Sequence, residues 1–149
     1  MLLYLDTSVF GGYFEPEFEE WTVPLFRQLE QGKHRLLFSD ITEGELVEAP
    51  LRVRQLALDS ASRKVKRVEM DEAALELALL YLKEKVVGRT SFNDCRHIAL
   101  ATLHRADVLV SWNFKHIVNV ERIIGYNAIN ARLGHRTLDI RSPREIVGQ

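Results

Sequence analysis

A single cysteine, Cys95, occurs in the 149 residues, so the chain can build neither a disulfide framework nor a cysteine-rich zinc site of its own. Long hydrophobic runs are missing too: no apolar stretch approaches the roughly 20 residues that a membrane span requires. The N-terminus enters an apolar strand-like stretch directly, without the basic, apolar and small-residue succession of a secretory signal. A reducing cytoplasm is the expected compartment. Repeats, low-complexity segments and linkers are absent, and residues 1–149 are read as one domain, long enough to bury a continuous core. An excess of one charge is lacking overall, the net being −1. That total hides an asymmetry, because residues 1–49 carry a net of −7 and residues 50–149 a net of +6. An acidic cluster facing a basic surround suits a metal-dependent enzyme acting on a polyanion. Solvated helix faces produce the same division.

What is present is an alternation of short apolar runs with amphipathic stretches. Residues 1–5 (MLLYL) have no polar alternation, as expected of a parallel strand covered on both faces. Residues 17–31 read as a helix with Trp21, Leu25, Phe26 and Leu29 inward and Gly32 as its stop, after a sharp turn at Gly11-Gly12. Residues 35–39 (RLLFS) form a second strand, followed by a helix over 41–48 with a capping-box-like start at Asp40 and Glu43. A helix over 51–60 leads through the basic group Arg63, Lys64, Lys66 and Arg67 into a weak strand at 65–69, most simply a solvated edge strand. Asp71 caps a helix running to Lys85, with Ala74, Leu77, Ala78 and Tyr81 inward and Gly88 closing it. Residues 91–101 (SFNDCRHIALA) start another helix, and 107–111 (DVLVS) a fourth strand that ends in Trp112, Asn113, Phe114, Lys115 and His116. A helix over 119–133, a strand at 138–140 and a capped start at Ser142-Pro143-Arg144-Glu145 complete the chain. The pattern predicts an α/β fold, a three-layer α/β/α sandwich around a mostly parallel sheet of about five strands.

Acids recur where strands end. Asp6 closes the first run; Glu45 lies one turn into the helix after the second; Asp94 sits in the first turn of a later helix; Asn113 follows the fourth strand. The loops beyond the carboxyl ends of a parallel sheet gather on one edge, so the four side chains are expected to converge. Three ionised carboxylates at short range require a cation, and oxygen-only ligands point to Mg²⁺ or Mn²⁺ and away from zinc. The chemistry that follows is metal-assisted phosphodiester hydrolysis. Each residue also has a plainer role: Asp6 as a helix cap, Asp94 complementing a helix dipole, His97 as a satisfied core histidine, Asn113 capping a turn. Glu43 and Glu45 cannot share a helix face, so only one of them points into the crevice. Ser8 stands where a haloacid-dehalogenase-like phosphatase needs a second aspartate. Gly11-Gly12 falls short of a dinucleotide-binding fingerprint.

Taken in order, LDTS, SDITEGEL, NDCRHIALA and LVSWNFKHI resemble the motifs of the PIN-domain ribonucleases, particularly the VapC-like toxins. The resemblance covers essentially the whole chain. It implies a PIN-like fold, Mg²⁺ or Mn²⁺ dependence, cleavage of single-stranded RNA, a homodimer and a small antitoxin partner. By position it implies Asp6, Glu45, Asp94 and Asn113 as catalytic residues, the three acids holding metal. Thr7, Ser8, Arg96 and Lys115 are the expected substrate contacts. Asn113 stands where the family usually has a fourth aspartate, and an amide there disfavours a second ion, so one divalent ion is expected in the absence of RNA. The competing expectation is a PIN-like nucleic-acid-binding or partner-binding module without turnover.

Overall fold

A computed structural model of the chain describes residues 1–61, 65–88 and 91–148. Among them, β1 (Leu2–Leu5), β2 (Arg35–Ser39), β3 (Val65–Val68), β4 (Val108–Val110) and β5 (Asp139–Arg141) form one sheet in the order β3-β2-β1-β4-β5. Every neighbouring pair is parallel. The central strands β1 and β4 are apolar because both faces are covered, whereas the edge strands β3 and β5 carry charged residues. Tyr4, Leu37, Leu109 and Ile140 enter one buried cluster, beneath α5 (Glu72–Lys83), α6 (Phe92–Leu103) and α7 (Val120–Arg132). Leu3, Leu5, Leu36, Phe38, Val108 and Val110 enter the other, beneath α1 (Thr7–Gly12), α2 (Glu19–Glu30), α4 (Leu51–Ala61) and α8 (Pro143–Val147). The short α3 (Asp40–Leu46) joins the two, with Ile41 in the first cluster and Leu46 in the second. This is the expected three-layer sandwich. Ala99 and Ala101 of α6 are fully buried, their small side chains letting the helix lie close on the sheet.

The chain leaves β1 for β2 and β3 on one side and returns to β4 and β5 on the other. Central β1 therefore lies at the switch point, where the crevice beyond the strand ends opens.

Several boundaries differ from expectation for local reasons. Gly11 and Gly12 belong to α1 instead of a sharp turn; a Cβ on Gly12 would stand 2.8 Å from the Trp112 ring, so the glycine serves a close approach. The cap of α3 is Ser39, whose hydroxyl accepts from the Thr42 amide at 3.1 Å, while Asp40 accepts from the Met70 amide at 3.1 Å. Gly88 does not close α5. That helix ends at Lys83 with Lys85 in the left-handed region (φ 60°), the Val86 amide reaching back to the Tyr81 carbonyl. α6 ends alike at Arg105 (φ 58°), and α2 and α7 at Gly32 and Gly134, all in the same closing motif. Lys66 and Arg67 lie on edge strand β3, whereas Arg63 and Lys64 fall outside the described residues.

Candidate active site

β1 delivers Asp6 to the crevice, where it is buried at 5% exposure. Its carboxylate is gripped from two sides. Oδ1 accepts from the Ser8 amide (3.1 Å) and hydroxyl (2.5 Å), which makes Asp6 the cap of α1, and Oδ2 accepts from the Ser111 hydroxyl (2.7 Å) at the end of β4. The Ser8 oxygen accepts in turn from the Trp112 amide at 3.0 Å. Capping and crevice placement are thus the same arrangement. Burial raises the Asp6 carboxyl above its ordinary range, opposed by His97, Ser8 and Ser111 and reinforced by Glu45.

Glu45 turns into the crevice from α3, and its Oε1 is hydrogen-bonded to His97 Nε2. Glu43 leaves in another direction and pairs with Arg67 on the surface. Burial pushes the Glu45 carboxyl up, but the hydrogen bond and field of His97, with Thr7 and Arg96 close by, outweigh it and hold the group below its usual value. His97 is itself buried, and its Nδ1 lies 2.6 Å from the Tyr4 hydroxyl, which lies 2.7 Å from Ser39 Oγ.

Asp94 projects from the first turn of α6. Its carboxyl is pushed up to about 6, chiefly by burial, then relieved by His97 and raised again by Asp6 and Glu45. The three acids therefore share one electrostatic neighbourhood, with His97 acting on each. Among the described residues no three His, Cys, Asp or Glu side chains close on a common point as a metal cage would require. The donor set nevertheless fits Mg²⁺ or Mn²⁺: all its donors are hard oxygens, two of the carboxyls are held above their ordinary range, and such ions bind through few protein groups while keeping several waters.

Of the remaining expected residues, Thr7, Arg96 and Asn113 are half-buried. Asn113 Oδ1 accepts from the Lys115 (3.2 Å) and His116 (3.0 Å) amides and so caps the turn after β4. Lys115 is exposed beside Phe114, whose ring is 52% exposed and packs edge-on against Trp112. Arg96 lies 5.2 Å over the Phe92 ring and bonds Asn93. Thr7 Oγ1 is buried beside Glu45 without closing a hydrogen bond of its own. Tyr4, Ser39 and Ser111 were hidden among apolar strand residues in the sequence. A tyrosine within an uninterrupted buried run was the available signal, since its hydroxyl must find a partner.

Residues 3–118 match the family model described as PIN domain. No curated protein matches the chain in sequence. Among solved structures it is similar to VapBC2 from Rickettsia felis bound to a DNA fragment from their promoter, at 15% identity and a TM-score of 0.57, over 95% of this chain and 98% of that one. It is also similar to FitAcB from Neisseria gonorrhoeae, at 16% identity and a TM-score of 0.57, over 96% and 98%. At these identities the likeness is one of fold.

Proposed function

The chain belongs to the PIN-domain family, and from that premise we propose that it is a Mg²⁺- or Mn²⁺-dependent endoribonuclease hydrolysing single-stranded RNA, the toxin of a toxin–antitoxin pair. The observation that supports this reading is that Asp6, Glu45 and Asp94, from separate parts of the chain, lie near enough for their charges to act on each other. These three would hold the ion, which when bound supplies Lewis-acid polarisation of the phosphate and a more acidic attacking water. The rest is done by the chain. Ser8 and Ser111 orient Asp6, and Ser8 is also a proposed substrate contact. Thr7, Arg96 and Lys115 are the other proposed substrate contacts, the two cations meeting phosphates at the rim. Asn113 is proposed to shape the turn at the site's edge.

Residues 1–149 are taken as a single domain acting in the cytoplasm; no helix among the described residues is long and apolar enough to cross a membrane. A small antitoxin partner is proposed from the likeness in fold to VapBC2 and FitAcB, and a homodimer from the resemblance to VapC-like toxins. The second reading, a PIN-like binding module without turnover, is favoured by one feature: the Asn113 side-chain oxygen is engaged by turn amides and not offered to the crevice.

Purified protein incubated with single-stranded RNA and Mg²⁺ or Mn²⁺ separates the readings. Cleavage leaving 5′-phosphate and 3′-hydroxyl ends is expected, abolished by Asp6→Asn or Glu45→Gln with the fold intact and unaffected by Glu43→Gln. A cyclic phosphate product, or full activity in excess chelator, would sink the metal mechanism. Metal-independent binding with no cleavage at all would favour the module.

A further inference from the structure

We propose that His97 is a positioning residue for Glu45, its imidazole held in a single tautomer by a one-way hydrogen-bond chain that begins in the core of the sheet. Glu45 is the only one of the three acids whose carboxylate rests on a ring. An ionised carboxylate accepts and cannot donate, so the hydrogen between His97 and Glu45 belongs to Nε2. In the neutral ring Nδ1 is then left as an acceptor, and the Tyr4 hydroxyl 2.6 Å away donates to it. With that hydrogen committed, the Tyr4 oxygen accepts from the Ser39 hydroxyl at 2.7 Å, and the Ser39 oxygen accepts from the Thr42 amide at 3.1 Å. With the ring neutral, each link takes its direction from the one before it, and the Ser39 oxygen also lies 3.2 Å from the Thr42 hydroxyl.

The chain is enclosed as well as ordered. Tyr4 is fully buried, and Ser39, Thr42 and His97 are exposed by no more than 2%. The His97 ring packs edge-on against Tyr4, with centroids 5.5 Å apart, so neither ring can turn without disturbing the other. Buried polar groups so connected define one arrangement because a missing partner has no water to replace it. The structural alternative is a histidine that merely satisfies itself in the core. It leaves unexplained why the ring spans from Tyr4 of β1 to a carboxylate on another element. Two strands and two helices are thereby tied to one side chain: Tyr4 of β1, Ser39 of β2, Glu45 of α3 and His97 of α6. Aiming Glu45 matters for function only if the three acids hold a metal, so this inference rests on the nuclease reading above.

The test uses the full chain and three variants: Tyr4→Phe, His97→Gln and His97→Leu. Imidazole ¹⁵N NMR of the metal-free protein should show His97 with its hydrogen on Nε2 and Nδ1 as a hydrogen-bonded acceptor, and Tyr4→Phe should shift the Nδ1 resonance to that of an unbonded acceptor while leaving the fold unchanged. Calorimetric Mn²⁺ affinity and kcat should each fall by about 10- to 100-fold in Tyr4→Phe and His97→Leu, the range for losing a group that orients a metal-binding carboxylate, with KM for RNA little changed. His97→Gln, whose amide N–H reaches towards Glu45, should recover part of both. A hydrogen found on Nδ1, or His97→Gln and His97→Leu losing Mn²⁺ affinity equally and in step with thermal stability, would overturn the inference. Wild-type protein that shows the Nε2 tautomer but neither binds Mn²⁺ nor cuts RNA would overturn the nuclease reading and leave the chain as the device that aims Glu45.

Discussion

Asp94 is the carboxyl whose acidity is moved into an easily measured range, to about 6. Unfolded, it titrates near about 3.9. Between those values the folded chain binds more protons than the unfolded one, so stability from this group falls as pH rises from about 4 through about 6. Glu45 acts in the opposite sense: displaced downward, it contributes stability above its unfolded value and loses it as pH falls. Asp94→Asn should therefore raise the unfolding midpoint of metal-free protein at pH 7, by about 1 kcal/mol once solvent screening is allowed for, and flatten the decline between pH 4 and 6. An unaltered pH profile would mean that burial does not displace the Asp94 carboxyl upward. Asn113→Asp should keep both turn hydrogen bonds and add a fourth negative charge, tightening Mn²⁺ binding in calorimetry; equal affinity in the two proteins would leave Asn113 as a turn cap alone. At this scale Asp6 was legible because it follows an apolar run, where a charge stands out, and Glu45 and Asp94 because each lies in the opening turns of a helix. Tyr4 and Ser39 were not, because a hydroxyl inside a buried strand looks like any other strand residue until its partner, up to 93 residues away, is in place.

Helix ends show the same limit in another form. Gly32 and Gly134 were recognisable stops, since glycine enters the left-handed region without strain. Lys85 and Arg105 do the same job against their own preference, and nothing in a basic side chain marks a stop beyond its attraction to the helix C-terminus. Replacing either with glycine should stabilise the protein by about 1 kcal/mol, read as a higher urea midpoint with an unchanged slope; a lower midpoint would show that the Lys85 or Arg105 side chain contributes more than the strain removes. Strand positions were read to within a residue or two, because uninterrupted apolar runs between turns have sharp edges. The cap of α3 was displaced by one residue, since Ser39 and Asp40 are both good caps and only the extended backbone at Ser39 decides between them.

For the molecule as a whole, the charges of Asp6, Glu45 and Asp94 act on one another in the metal-free protein. Mn²⁺ binding only the folded state should raise the unfolding midpoint, and more at pH 7 than at pH 5, where Asp94 is protonated and competes with the ion. Equal shifts at both pH values would place the ion elsewhere. The layer architecture was legible from the alternation of strands and helices. The order β3-β2-β1-β4-β5 was not, because nothing along a single apolar run says which other run it will lie beside. That order has a consequence for how the site comes into being. Asp6 is completed by Ser111, 105 residues later, and β1 gains its second neighbour only when β4 arrives. On a ribosome Asp6 therefore emerges long before the strand that seats it, and during that interval there is no assembled crevice. If the chain is the ribonuclease proposed, translation order itself keeps the nascent protein from attacking the RNA around it.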